Sequence, residues 1–307
     1  MLRDIARGED PQIDAVLQII GHAAPDVIAL QNFDYDLTGA ALSLFADQAG
    51  YPYSFAALPN TGMFTGLDMD GDGRLGGPRD AQGYGKFSGQ GGMAVLSKFP
   101  IMADKVQNLS RLLWRDIPDP SLPTLNGAPF PSAEAQAIQR LSTTGHWIVP
   151  IKTPDGVFHL LTFHATPPVF DGDEDRNGKR NHDKVRLWQQ YLDGLVGVPI
   201  KTPFVIAGDA NLDASAGDGR REAIINLLKD PRVQDTKPKG SVPSDPMDTA
   251  DWTDPFPGNM RVDYVLPSME WTILDSGVIW PSSDDTLAEI AETASRHHLV
   301  WVDIVRK

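Results

Sequence analysis

The stretch Phe204-Val205-Ile206-Ala207-Gly208-Asp209-Ala210-Asn211 sets the reading of the whole chain. Four apolar residues in a row, two of them β-branched, make a segment of strand length. Gly208 closes the run, and Asp209 and Asn211 follow it. Polar side chains delivered by the end of a buried strand stand on a rigid support, which is what an active site asks of its residues. The arrangement recurs in three other places. His164 follows the apolar run 157–163, Asp263 lies within Arg261-Val262-Asp263-Tyr264-Val265, and His297 in Ser295-Arg296-His297-His298 precedes the run 299–305. One acid after a strand is ordinarily a turn or cap residue. Five polar residues at strand ends, His164, Asp209, Asn211, Asp263 and His297, predict a shared cleft.

The rest of the chain supplies the frame around these strands. Asp10-Pro11 is a helix start, an N-cap acid followed by proline at the first helical position. Ile13, Val16, Leu17 and Ile20 then recur at helical spacing up to Gly21. Residues 26–31 and 92–96 read as short strands, and 37–49 as a helix ending at Gly50. Runs 147–151 and 157–163 form a strand pair around Pro154-Asp155-Gly156, and 183–195 a helix with Val185, Leu187, Trp188, Tyr191 and Leu192 as its apolar residues. Residues 58–90 and 108–131 lack periodicity and are expected to be long loops. Helices and strands alternate early and strands dominate late, with no linker and no repeat. This pattern predicts one domain over 1–307, of class α/β, with two sheets packed together and helices outside.

Composition narrows the partners. The 307 residues are 41% hydrophobic, enough for a sizeable core, yet no apolar run reaches the roughly 18 residues that span a bilayer. Cysteine is absent, which excludes disulfides, thiolate metal sites and cysteine nucleophiles. The formal net charge of −14 opposes the displacement of counterions from long duplex DNA. A small phosphorylated substrate or ligand is the expected partner, and neither its identity nor the oligomeric state is legible. The start Met1-Leu2-Arg3-Asp4-Ile5-Ala6-Arg7 has no apolar signal core, although a mature exported chain would read the same.

In the order and content of these segments the chain resembles the endonuclease/exonuclease/phosphatase superfamily of DNase I-like proteins. The resemblance rests on Pro25-Asp26-Val27-Ile28-Ala29-Leu30, Asn60-Thr61-Gly62, the stretch His164-Ala165-Thr166-Pro167-Pro168-Val169-Phe170-Asp171-Gly172 with Glu174-Asp175-Arg176-Asn177-Gly178, and the strand-end residues above. It is nearest to a bacterial branch of mostly secreted proteins, which implies an extracytoplasmic setting. It implies a four-layer α/β sandwich with two mixed β-sheets face to face, and hydrolysis of a phosphoester by water attacking phosphorus in line. On that likeness Asp209 orients or deprotonates the water and Asn211 donates its amide to a phosphoryl oxygen. His164 contacts phosphate or assists the leaving group, and His297 binds phosphate with Asp263 nearby.

The likeness fails on one side. Where the family carries a magnesium-binding Glu after its strand, this chain has Gln31-Asn32. Where the family ends in Ser-Asp-His, it has Ser295-Arg296-His297, and the family's first strand has no counterpart after Met1. Replacing two acids by an amide and a guanidinium changes the local formal charge by about +3, and Mg²⁺ prefers carboxylate oxygen. Magnesium is therefore expected to bind poorly. Three readings stay open: Arg296 replaces the ion, Asp34 and Asp36 supply a displaced metal site, or the chain binds an anionic ligand without catalysis.

A second ion site is expected at Asp68-Met69-Asp70-Gly71-Asp72-Gly73-Arg74. Acids at relative positions 1, 3 and 5 with Gly at 6 can turn inward around Ca²⁺, so Asp68, Asp70 and Asp72 are the candidate ligands of a structural calcium. Position 12 is Arg79 rather than Glu, so the loop is an incomplete version of that motif. The acidic run 171–175, followed by Arg176, Lys179 and Arg180, reads as a self-neutralised surface loop.

Overall fold

In the computed structural model, which describes residues 1–242, 245–253 and 256–307, the run at 204–207 is buried on both faces. Val205 and Ala207 enter one apolar cluster and Ile206 the other. That is the two-residue period of a strand lying between two packed layers.

Twelve strands and seven α-helices are present among the described residues. The first half holds α1 (Leu2–Arg7), α2 (Pro11–Ala23), β1 (Val27–Phe33), α3 (Ala40–Gln48), β2 (Tyr53–Phe55), β3 (Gly92–Ser97), β4 (Gln107–Asn108), β5 (Thr124–Leu125), β6 (Ala128–Pro129), α4 (Ala133–Ile138) and β7 (His146–Thr153). The second half holds β8 (Gly156–His164), α5 (Arg176–Leu192), β9 (Phe204–Asp209), α6 (Glu222–Leu228), β10 (Asp263–Pro267), β11 (Trp271–Val278), α7 (Ala288–Ala294) and β12 (Val300–Arg306). One sheet has the order β1-β3-β2 and is antiparallel; the larger has the order β10-β9-β8-β7-β4 and is mixed, since β8 and β9 run parallel. β11 and β12 form a separate antiparallel pair, and β5 and β6 a small hairpin.

Three apolar clusters separate four layers. Ile5, Ile20, Leu42 and Phe45 of the first helices pack on Ala94 and Leu96 of β3. Met93 and Val95, on the opposite face of β3, meet Trp147, Val149, Leu160 and Val205 of the large sheet. The other face of that sheet, with Ile148, Leu161, Phe163 and Ile206, carries Val185, Trp188 and Tyr191 of α5 and Ile224 and Leu227 of α6. The expected α/β sandwich with helices outside is what forms. Each of the buried large aliphatic side chains among these contributes roughly 1.5–3 kcal/mol by its removal from water.

Two expectations change. The helix after the 171–175 run begins at Arg176, seven residues before its expected start at 183. Its first two turns bury polar groups: Arg180, Asn181, Asp183 and Lys184 are all 5% exposed or less. Arg180 donates to the carbonyls of Leu141, Gln82 and Arg140, and Asp183 accepts from Trp114 and Ser121. A helix that buries hydrogen bonds instead of methyl groups has no apolar period to read. The acidic run is neutralised in part by Arg176, whose guanidinium lies in the field of Asp171 and Glu174, and in part by groups outside it. Asp171 accepts the amide of Asn177, Asp175 pairs with Arg220 at 2.7 Å, and Arg180 points inward.

Candidate active site

Strand register brings the first three residues together. β8 pairs with β9 so that His164 lies opposite Asp209, and β9 pairs with β10 so that Asp209 lies opposite Asp263. Three strand ends thus set His164, Asp209 and Asp263 abreast. His164 Nε2 is 3.3 Å from Asp209 Oδ2. The chain turns sharply after β9, with Asn211 in the left-handed region at φ 45°, a conformation asparagine tolerates better than most residues. The turn lets the Asn211 amide donate to Asp209 Oδ2 at 2.7 Å and to the Ala165 carbonyl at 3.0 Å, while its backbone N–H reaches Asp209 Oδ1 at 2.6 Å.

His297 enters from the segment before β12. Its Nδ1 is 2.9 Å from Asp263 Oδ2. The strand-end residues predicted from sequence therefore lie together in two hydrogen-bonded sets, His164, Asp209 and Asn211 in one and Asp263 and His297 in the other, brought side by side by the register of β9 and β10.

Sequence reasoning missed two supporting residues. Thr249, fully buried, donates its hydroxyl to Asp263 Oδ2 at 2.9 Å and accepts the backbone N–H groups of Val262 and Asp263. Trp252 sets its ring edge-on to His297 at 5.4 Å between centroids. Both lie in an irregular segment that reaches the site through isolated bridges, Ala250 to Met260 and Ala250 to His297. No local motif marks such a segment.

Burial and charge separate the acid–base properties of the cluster. Burial, then the nearby Asp263 carboxylate, push the Asp209 carboxyl up to about 7. For His297 burial favours the neutral ring, but the carboxylate of Asp263 outweighs it and lifts the ring to about 9. Burial, then the ammonium of Lys184, push His164 down to about 3. At neutral pH the cleft holds an imidazolium, a neutral imidazole and a carboxyl group titrating in the working range. Groups driven apart in this way are suited to different proton-transfer and charge-stabilising roles.

The ligand atoms of Asp209, Asp263 and His297 lie within 4.8 Å of one another, close enough to share a cation. A cation there competes with the proton of His297. The same groove is also lined by Asn32, Asp34 and Arg296. Asn32 and Arg296 are both exposed and offer an amide and a guanidinium. Asp36 is committed to the start of α3, where it accepts the N–H groups of Thr38, Ala40 and Ala41, and Asp34 accepts the N–H of Gly91.

The acidic loop differs in one ligand from its expected set. Asp68 and Asp70 converge with Asp80, not with Asp72. Asp80 is 3% exposed and accepts the N–H groups of Met69 and Gly77, while Asp72 turns to the N–H of Arg74. The chain returns through a single turn at Pro78–Asp80, which brings a carboxylate twelve residues after Asp68 into the cluster. Arg79 stands 3.9 Å from Asp70.

Comparison with known proteins agrees with this architecture. No curated protein matches the chain in sequence. Among solved structures it is similar to an endonuclease/exonuclease/phosphatase from Beutenbergia cavernae DSM 12333, with a TM-score of 0.61 and 17% identity over 97% of this chain and 66% of that one. The chain thus spans just under two thirds of that protein's length. It is also similar to the mannosyl-6-phosphatase of Bacteroides thetaiotaomicron VPI-5482, at TM-score 0.54 and 16% identity over 99% and 94% of the two chains. The human nocturnin catalytic domain, solved with a bound sulfate anion, aligns at TM-score 0.53 and 14% identity over 97% and 87%. At such identities these likenesses carry the fold. The family assignment comes from a sequence model of the Endonuclease/Exonuclease/phosphatase family, which matches residues 3–297 and so takes in every strand-end residue of the cleft; this chain belongs to that family.

Proposed function

We propose that the cleft binds a small phosphate ester and hydrolyses it slowly, with a weakened magnesium site. The family is one of phosphoester hydrolases, which supports the reaction class. The observation that carries the proposal is the register that sets His164, Asp209 and Asp263 abreast with His297 docked on Asp263. Asp209 takes a proton from water as the water oxygen bonds to phosphorus, and the ester P–O bond breaks on the far side, its oxygen leaving with the bonding pair and taking a proton from solvent. The His297 imidazolium, held charged by Asp263, faces the phosphoryl oxygens, where fixed positive charge is most effective. Asn211 and His164 flank Asp209 and orient it. Arg296 adds a guanidinium at the rim, suited to a phosphate in both charge and shape.

The rival reading is a family member that binds an anionic ligand without turnover, favoured by the exposed Asn32 and Arg296 on the metal side. The test is hydrolysis of an aryl phosphate monoester and diester by wild type, Arg296→Ala and Asn32→Glu with Arg296→Asp, in Mg²⁺ and in EDTA. The proposal expects weak activity in Mg²⁺ that the double change strengthens, each single change doing less. Activity that survives EDTA and disappears in Arg296→Ala would transfer the ion's role to the guanidinium. Phosphate binding without turnover in every variant would establish the inactive binder.

We also propose that the loop from Asp68 to Asp80 takes a structural Ca²⁺ through Asp68, Asp70 and Asp80. The convergence of three carboxylates supports this. Burial holds Asp70 above the usual carboxylate range, so a bound cation would relieve an unfavourable charge.

A further inference from the structure

The proposed reaction leaves one side chain of the cleft without a role. Phe170 lines the cleft together with His164, Pro167 and Asn211. It is 75% exposed, so most of its ring stands in solvent. Single exposed apolar residues are ordinary. The backbone of this one is not. Phe170 sits at φ 70°, in the left-handed region, where the Cβ of a bulky residue is crowded. Such a conformation persists only where the surroundings impose it, and it concentrates at ligand sites.

Helix α5 imposes it here. The Asn177 carboxamide donates to the Val169 carbonyl at 2.8 Å, and the Asn177 backbone N–H donates to Asp171 Oδ2, so both neighbours of Phe170 are fastened. Asn181, one turn further along and fully buried, donates to the carbonyls of Thr166 and Ala210, each at 2.8 Å. That pair of bonds ties the turn after His164 to the turn after Asp209. The stretch from His164 to Asp171 is thus fixed at Thr166, Val169 and Asp171, and Phe170 is the residue it turns outward. The ring stands on the ridge between the cleft and a smaller pocket. In that pocket Arg79 lies 3.9 Å from Asp70 and Arg176 donates to the Met69 carbonyl, so its cations already have partners. On the cleft side the ring stands beside the groups proposed to hold phosphate, and Pro167 and Trp252 continue the apolar rim.

We propose that Phe170 is a specificity-determining residue, whose ring stacks on a planar ring carried by the alcohol of the phosphate ester. Aromatic rings attract one another in offset-stacked and edge-on arrangements, which an alkyl alcohol cannot reproduce. A ring already fixed in place by α5 loses little freedom when it stacks, so the contact favours binding more than a mobile side chain would. The substrate class is then an ester of a flat, ring-bearing alcohol rather than of a simple alkyl one. This rests on the reading of the cleft as a phosphate-ester site. The strain and the ring can be separated experimentally. Glycine takes the left-handed conformation freely, so Phe170→Gly keeps the path of the chain and removes only the ring.

Calorimetry of the full chain at neutral pH tests the proposal with phenylphosphonate, benzylphosphonate and methylphosphonate as probes. These have no ester bond to break, so binding is read without turnover. Wild type and Phe170→Tyr should bind the better of the two aryl probes about tenfold or more tighter than methylphosphonate. In Phe170→Gly that ratio should fall below about threefold. The melting temperature of Phe170→Gly should equal or exceed that of wild type, because glycine relieves the strained backbone. Equal binding of all three probes by wild type overturns the proposal, as does a ratio that survives Phe170→Gly; either result leaves the phosphate site standing. A melting temperature lowered by more than about 2 °C in Phe170→Gly makes the ring a packing element and overturns it as well. Failure of wild type to bind any of the three phosphonates overturns the phosphate site and this proposal together.

Discussion

Replacing Asp263 by Asn removes the charge that holds His297 protonated while keeping the size of the side chain. His297 titrates at about 9, against an ordinary 6.5, because the Asp263 carboxylate 2.9 Å away outweighs burial. A shift of that size corresponds to about 3 kcal/mol of preference for the charged ring. The two side chains are 30% and 17% exposed, so solvent screening lowers the effective value to about 2 kcal/mol. In Asp263→Asn the ring should therefore titrate near or below 6.5, with Asp209 its remaining nearby carboxylate. Asp209 loses the second cause of its own elevation and should titrate below about 7. The sign for stability follows from the raised pKa of His297. Its contribution is fully present below 6.5 and is lost as pH rises through about 9. Wild type should thus exceed the variant in stability mainly at neutral pH and below, and the gap should close in alkali. NMR titration of the His297 ring in both proteins checks the first point, and calorimetry of inorganic phosphate binding across pH checks its use. Wild type should keep phosphate binding to about pH 9, and Asp263→Asn should lose it above about pH 6.5. A His297 ring that titrates within about half a unit of wild type in the variant would refute the reasoning, since the charge would then come from another group.

Other expectations follow from single contacts. His146 is fully buried, with Nδ1 near the Ser142 hydroxyl and Nε2 on the Lys184 carbonyl, and burial followed by Lys184 pushes it down to about 3. A depressed histidine stabilises the fold above 6.5 and loses that contribution as pH falls towards 3. His146→Phe, set between Phe163 and Trp188, should reduce the pH slope of urea-unfolding stability in that window by about 1.4 kcal/mol per pH unit. Added Ca²⁺ should raise the melting temperature relative to EGTA in wild type and in Asp72→Ala but not in Asp70→Ala or Asp80→Ala; equal melts in all samples would reduce the loop to an acidic turn. Gly62 sits at φ +69° with space for a Cβ only 1.8 Å from the Phe87 carbonyl, so Gly62→Ala should cost at least about 2 kcal/mol in denaturant unfolding. A smaller loss would show that the 58–90 segment shifts to accommodate the methyl group.

The readable part of the fold was the part built from apolar periodicity. The helix at Asp10-Pro11 forms as its cap dictates, the acid accepting the N–H groups of Gln12 and Ile13. The β7–β8 pair turns near the expected residues, and β9 ends at Asp209. The elements that escaped have weak periodicity or none. α6 and α7 are seven residues each. β11 exposes Thr272, Leu274 and Asp275, and is a strand because β12 lies beside it. The first turns of α5 face inward with charged and amide groups whose partners, Leu141, Gln82 and Trp114, lie far away in sequence.

The same division runs through the site. Strand ends are local features, so the amino-acid sequence by itself determined which five residues come together at the strand ends. Register is not local. Only the tertiary structure decided that His164, Asp209 and Asp263 stand abreast, that Thr249 and Trp252 brace them, and that Asp80 rather than Asp72 joins Asp68 and Asp70. Charge state belongs to the tertiary structure for the same reason. The Asp209 carboxyl and the His297 ring owe their displaced titration to burial and to each other's neighbours, and a carboxylate or an imidazole acquires those only when distant strands pack against it.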